Sequence, residues 1–435
     1  MSRAEESLAR ALDASPAAPG GPAFAAALRR AGADDFRRLK LPTTRHEEWL
    51  YTSLAGLGAL ELSPAAPARP DPAAVARLGG LPPAPRLVLV NGRLDPSLGD
   101  LSGLPAGAFA GSLATALRER PAALEPFLGR APFHDHAFAA LNAALFEDGA
   151  VLLLPDRAAA AAPLHVVHWT VAGAAPAAAF PRALVVAGRG ARATVVERFA
   201  GEGTYLAAGL TELWLGDESQ VELVQLQREA PEAFHVGLLG VTQGSGTRFA
   251  ARSVALGARV ARFEARALLD GEGTENLVDG LYVAGGAQVH DHFVHVDHAR
   301  PRGTSRELFK GVLDGHARGV FTGRVLVRPG AQKTDAGQVS SNLLLSEDAT
   351  VDTRPQLEIL ADDVKCSHGG TVGQLDEEAL FYLRSRGIDR PAARALLTWA
   401  FAAEMVERLP EPVRAEVRRL VTERLPDGER LREAA

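Results

Sequence analysis

Residues 248–285 read RFAARSVALGARVARFEARALLDGEGTENLVDGLYVAG. Three apolar-rich runs, RFAARSVAL, RVARFEARALL and NLVDGLYV, are punctuated at an even step by Gly257, Gly271 and Gly285. Within each run apolar and polar residues largely alternate, the period-two pattern of a strand with one face turned inward. The same grammar extends outward in the runs HVVHWTV, ALVVAG, ATVVERF, TELWL, QVELVQLQ and FHVGLLGV. Gly190, Gly203 and Gly216, then Gly244 and Gly257, keep nearly the same step. A strand, a tight turn and another strand fit such a length. From about residue 150 to 375 no helical periodicity appears. Two architectures accommodate this tract, a β-sandwich or barrel of hairpins and a β-solenoid in which each strand stacks on the one a coil earlier. A sandwich closes after seven to nine strands and about 100 residues. The tract is twice that long, which a solenoid explains better, since it lengthens without thickening its core.

The flanks differ in character. SLARAL and FAAALRRAG near the N-terminus have helical spacing, the proline-crowded stretch from Ser63 to Arg86 forbids a long helix, RLVLVNG reads as a strand ending in an Asn-Gly turn, and helical pattern returns from about 108 to 146. Beyond Gly373, DEEALFYLRSRGI opens with acids suited to a helix N-terminus and meets a stop at Gly387. RPAARALLTWAFAAEMVERL, with Pro391 where a helix start tolerates it, and EPVRAEVRRLVTERL follow. The expected units are a mostly helical region with its Pro/Ala linker over 1–150, a β core over 151–375 and a helical subdomain over 376–435. Leu396, Leu397, Trp399, Ala400, Phe401, Met405, Val406 and Leu409 make an apolar face too broad for three helices to bury alone. It must cap the β-domain or meet a partner.

Composition sets outer bounds. Over 435 residues, 47% hydrophobic and 23% charged are ordinary values for a globular chain, and the net charge of −6 argues against a nucleic-acid binder. One cysteine excludes an internal disulfide. The opening MSRAEESLARALDASPAAPGG carries acids and no continuous apolar core, unlike a secretory signal. No apolar run reaches the roughly 18 residues that would suggest a membrane span. A cytoplasmic protein is expected.

Chemistry-bearing residues are few. Cys366 and His368 in KCSHGGT alternate, so a strand would place both on one face. Thiolate and imidazole are good ligands for iron, zinc or copper, but an iron–sulfur cluster normally takes four protein ligands. The missing ligands would have to come from another chain. In VHDHFVHVDH, His290, His292 and His298 share a parity that His295 lacks. This suggests either a cupin-like metalloprotein built on His290 and His292 or polar ladder residues of a solenoid. A solenoid carbohydrate-active enzyme would need clustered acids. The adjacent Asp362 and Asp363 point to opposite faces, Glu347, Asp348 and Asp352 suggest a solvated turn, and the tryptophans are scattered at 49, 169, 214 and 399. No phosphate-binding GxxxxGK[ST] or GxSxG motif is present, and Lys333 reads as a surface turn residue.

Three blocks in order extend the reading. These are TTRHEEWLYTSL at 43–54, HARPRGTSRELFKGVLDG at 298–315, and KTDAGQVSSNLLLSEDATVDTRPQLEILADDVKCSHGGTVGQLDEEALFYLRSRGI at 333–388. Together they resemble the SufB/SufD family of iron–sulfur cluster assembly scaffold proteins. The KCSHGGTVGQLDEEALFYLRSRGI wording and the lack of further cysteines place the likeness on the SufD side. The resemblance implies a mainly β fold, a right-handed parallel β-helix flanked by helical N- and C-terminal regions. It implies a non-catalytic scaffold subunit that pairs with a SufB-like paralogue through the β-helices and docks SufC, an ABC-type ATPase, on its C-terminal helices. A homodimer is the expected alternative for the isolated chain. Carried over by position, His368 and Cys366 would be iron or nascent-cluster ligands at the partner interface, and Leu396, Leu397, Trp399, Phe401 and Met405 a partner-binding surface. The iron or cluster would be transient and shared with the partner. Reduced flavin would belong to the whole complex, as the chain carries no flavin fingerprint.

Overall fold

Each strand of the repeat lies beside the strand one coil away, not beside its chain neighbour. Arg248 pairs in parallel with Gln220 before it and Glu275 after it, so one coil runs from Gln220 to Arg248 and the next from Arg248 to Glu275. The glycine step is therefore half a coil. Each coil gives one strand to each of two facing parallel sheets. The computed structural model describes all residues except 1, 15–20, 78–79, 81, 412 and 431–435, and the side chains of 76–77. The first sheet includes 182–187, 205–215, 234–243, 260–269, 289–298, 318–327 and 350–359 in spatial order. The second includes 86–90, 164–171, 192–202, 220–228, 248–255, 275–284, 304–313, 335–344 and 365–373. This is a parallel β-solenoid, and the hairpin sandwich is ruled out by the parallel register.

Glycine is demanded where coils turn. A Cβ on Gly271 would lie 2.1 Å from the carbonyl carbon of Gly244, and one on Gly257 would lie 2.5 Å from the backbone nitrogen of Glu229. The coils can close at their usual spacing only because no side chain intervenes. The Asn91-Gly92 turn, both residues at positive φ, joins Arg86–Val90 to Arg93–Leu94 as an antiparallel hairpin. Arg86–Val90 thereby becomes the first strand of the second sheet, parallel to Leu164–Val171.

Three apolar layers hold the molecule together. The inner faces of both sheets meet in a lumen filled by side chains such as Leu223, Leu239, Val278, Val294, Phe309 and Phe321. Burying one of these contributes roughly 1.5–3 kcal/mol. The outer face of the first sheet is covered by the N-terminal region, where Leu8, Phe36, Trp49 and Phe138 pack on Phe180, Leu206, Phe234 and Val260. The outer face of the second is covered by the C-terminal helices Arg390–Val406 and Val413–Arg424, whose Met405, Val406, Val417 and Val421 meet Val224, Val254, Leu281 and Val312. Where the outer face is covered, strands such as Phe234–Gln243 carry apolar residues on both faces, as parallel sheets covered on both sides do, while others keep the alternation read from sequence.

Candidate functional site

The solenoid ends in an uncovered coil. Thr350–Ile359 pairs only with Arg318–Val327, and Lys365–Gly373 only with Asp335–Leu344, so the far edge of each strand has no described partner. Ile359, Leu360 and Val372 are exposed there. Cys366 and His368 stand on the last strand in register with Ala336 and Gln338, both buried on the lumen face. The alternation read from sequence thus aims both side chains over the open end of the lumen. Cys366 is half-buried and packs with Leu357 and Val364 against the lumen core, whereas His368 is exposed. Burial pushes the Cys366 thiol up, Asp335 adds to this, and a bond from the Ala336 backbone only partly offsets it. No cation among the described residues enters that balance in favour of the thiolate. Among the described residues no group of three His, Cys, Asp or Glu side chains is placed to hold a metal. The pair stands on an edge strand whose far side has no described partner.

The histidine-rich strand is not such a site. His290, His292 and His298 face the lumen as their shared parity requires, but all three are sealed within it. His290 Nε2 donates to the Gly257 carbonyl at 2.9 Å, and His298 Nε2 shares a hydrogen bond with Ser305 Oγ at 2.9 Å. His292 stacks on Tyr282 with centroids 4.7 Å apart, and both its ring nitrogens lack partners. Burial lowers His290 to about 4 and His292 to about 3, so these rings are neutral. The cupin-like expectation is corrected accordingly: the strand fills a core, and among the described residues no third ligand joins it. The acids weighed for a carbohydrate enzyme are engaged elsewhere. Asp352 pairs with Arg318 at 2.6 Å, Asp362 accepts from Gln332 Nε2 at 2.8 Å, and Asp363 pairs with Lys333.

The apolar face of Arg390–Val406 is largely used within the chain. Met405 is buried, and Trp399 and Phe401 lie half-buried against the solenoid, with Lys310 Nζ 4.5 Å from the Phe401 ring. Leu396 and Leu397 remain half-exposed. The large apolar side chains most open to solvent are Phe381 and Tyr382, 71% and 58% exposed, on the preceding helix Glu377–Ser385. Only three residues, 374–376, separate that helix from the strand carrying Cys366 and His368. Asp376 caps it by accepting from the Glu378 N–H.

Sequence reasoning missed two features. Glu307 and Gln338 form a buried polar pair, Gln338 one coil and Glu307 two coils beneath His368. The block at 43–54 is a clasp on the first sheet. Trp49 lies beneath the Arg262 guanidinium at 4.2 Å, Glu48 pairs with Arg266 at 2.9 Å, and Thr52 Oγ1 donates to Asp291. A signal for the clasp was present in the charged residues Arg262, Glu264 and Asp291 on strands of the core, but nothing local marks them as a seat for 43–54.

Comparison with known proteins agrees with this architecture. A family described as the SufBD core domain of the SUF system for FeS cluster assembly matches residues 169–401, and one described as the SufBD protein N-terminal region matches 83–166. An iron–sulfur cluster assembly SufBD family protein of Synechocystis is 34% identical over 88% of this chain and 87% of its own length. The iron–sulfur cluster assembly protein SufD of Escherichia coli is 31% identical over 90% and 91% respectively. A chloroplastic Arabidopsis protein, ABCI7, is 34% identical over 53% of this chain and 49% of its own.

Proposed function

This chain belongs to the SufBD family of the SUF iron–sulfur cluster assembly system, and from that premise we propose that it is a non-catalytic, SufD-like scaffold subunit. It pairs with a SufB-like paralogue through the uncovered terminal coil and brings His368 and Cys366 to the junction. There they bind incoming iron or the nascent cluster, which is cargo held jointly with ligands of the partner. The observation that carries this reading is the coincidence of the solenoid's unpaired edge with its one cysteine and a neighbouring histidine on the lumen face. Edge strands present rows of free N–H and C=O groups that a second chain can pair. The ATPase partner docks on the C-terminal helices. The open apolar side chains of that region are Phe381 and Tyr382, with Leu396 and Leu397 contributing, while Met405, Trp399 and Phe401 hold the docking helix to the solenoid. Any flavin chemistry is a property of the assembled complex. No described helix is long and apolar enough to cross a membrane, and the assembly is proposed to work in the cytoplasm.

Co-expression with SufB-like and SufC-like chains tests the proposal. The expected product contains one copy of this chain, one of the paralogue and two of the ATPase. His368→Ala should preserve the assembly and lower the yield of reconstituted cluster. Elution of the chain alone, or as a homodimer indifferent to the paralogue, overturns the pairing. Loss of folding in His368→Ala makes that residue structural.

A further inference from the structure

The lumen beneath the terminal coil contains a lone carboxyl group. Glu307 is 2% exposed, and its Oε2 has no hydrogen-bond partner. Its Oε1 accepts from Gln338 Nε2 at 3.2 Å, while Gln338 Oε1 is itself unpartnered. Glu307 is in register with Gln338, and Gln338 with His368, so the acid stands two strands, about 10 Å, below the open end. The facing strand makes room for it. A Cβ at Gly323 would lie 2.8 Å from Glu307 Oε2 and 2.9 Å from Gln338 Nε2. Around the carboxyl the lumen is otherwise uncharged. Val278 lies below it and Phe309 beside it. The inward-facing titratable groups of the neighbouring strands are Tyr282, His290, His292 and His298, and burial disfavours the charged form of each. Strands Val260–Leu269, Arg318–Val327 and Thr350–Ile359 turn no titratable side chain toward it, and Lys365–Gly373 contributes only Cys366 and His368. Burial raises the Glu307 carboxyl to about 8, with the Gln338 bond acting in the opposite direction.

Resting on the reading of the open end as a cation site, we propose that Glu307 is a positioning residue for that site, a neutral acid that releases its proton to solvent when a cation arrives above it. For Glu307 the balance is one divalent ion in and one proton out, leaving a carboxylate beneath the ion, in addition to the proton that the Cys366 thiol loses on ligation. In a low-dielectric lumen a charge at this separation acts strongly on the ion. Gln338, in register beneath His368, donates its amide N–H to the acid, and its Oε1 has no partner.

The test uses the chain complexed with its paralogue and cobalt(II) as the probe, with affinity and proton release measured by calorimetry in buffers of different ionisation heat. In the parent, binding near pH 7 should release about one proton more than near pH 9.5, where the acid is already ionised. Glu307→Gln, which keeps the volume and the neutral state, should release about one proton fewer than the parent near pH 7 and weaken cobalt binding by about tenfold near pH 7.5. Unchanged proton release and affinity in Glu307→Gln, with binding lost in His368→Ala, overturns the role of Glu307 alone. No binding by the parent, or binding indifferent to His368→Ala, overturns the cation site and this inference with it. Should Glu307→Gln not fold, the parent pH comparison is repeated in Cys366→Ser, which removes the thiol proton: an extra proton near pH 7 that persists there is the result expected for Glu307, and its absence overturns the role.

Discussion

Individual residues in the lumen set opposing pH dependences. His292 has no partner on either nitrogen and is neutral in the folded chain, at about 3 against an ordinary 6.5. The unfolded chain takes up a proton there below pH 6.5, whereas the folded chain does not. The stability tied to this residue is therefore intact above 6.5 and lost as pH falls toward 3. Because an unsatisfied buried polar group costs about 1–3 kcal/mol, His292→Phe among Tyr282, Phe309 and Phe263 should raise stability and flatten the acid limb in urea titrations. Glu307 has the opposite sign. Its folded value of about 8 exceeds the ordinary 4.5, so its contribution is intact below 4.5 and lost as pH rises through 8. Glu307→Gln should match the parent near pH 5 and exceed it near pH 8, by on the order of a few kcal/mol. Equal stabilities at both values would show that the acid is ionised in the fold. The parity of the histidines was legible in the sequence; that their face looks into a sealed lumen was not. Glu307 was unreadable because TSRELFKGVL mixes apolar and charged residues on both faces. Phe309 and Leu313 point in, Leu308 and Val312 pack outward against other elements, and no alternation marks the inner side.

At the level of elements, both helical flanks rest on apolar faces of the solenoid. The N-terminal clasp adds a cluster of fully buried charge. Arg262 meets Asp291 at 2.5 Å and Glu264 at 2.8 Å, while Trp49 and Phe293 cover its guanidinium. Burial opposes the charge on Arg262, but Asp291 and Glu264 outweigh it and hold its pKa above the ordinary value. Removing one member of such a set strands the rest. Asp291→Ala should cost about 3–5 kcal/mol, and limited proteolysis should then cut within 43–54. Arg262→Met combined with Asp291→Leu should lose much less than the two single changes added. Additive losses would mean that the residues act independently. The 43–54 block was legible as a motif, but its seat was not. The seat is assembled from strands far downstream, where Glu48 meets Arg262 and Arg266, and no local period encodes that meeting.

For the whole molecule, the glycine steps carried most of the architecture, although their meaning was ambiguous. The same step fits a hairpin and half a solenoid coil equally well. Only the parallel register separates the two. That register makes the core a continuous hydrogen-bonded rod, and the rod has mechanical consequences. The helix bearing Phe381 and Tyr382 joins the last strand through residues 374–376 alone, so force on the helix reaches Cys366 and His368 with little slack. At rest the Cys366 thiol is half-buried and burial raises its pKa, which should make it slow to alkylate. If the proposed ATPase closes on nucleotide and draws the C-terminal helices with it, the terminal coil should open at the partner junction. In the assembled complex, ATP with a hydrolysis-deficient ATPase should then raise the alkylation rate of Cys366 several-fold. Inserting Gly-Gly-Ser between Gln374 and Leu375 should abolish the rise without dissociating the complex, because a slack linker transmits no force. Unchanged reactivity with ATP would refute the mechanical coupling. A rise that survives the insertion would route it through the apolar contact of Met405 and Val406 with the outer sheet instead.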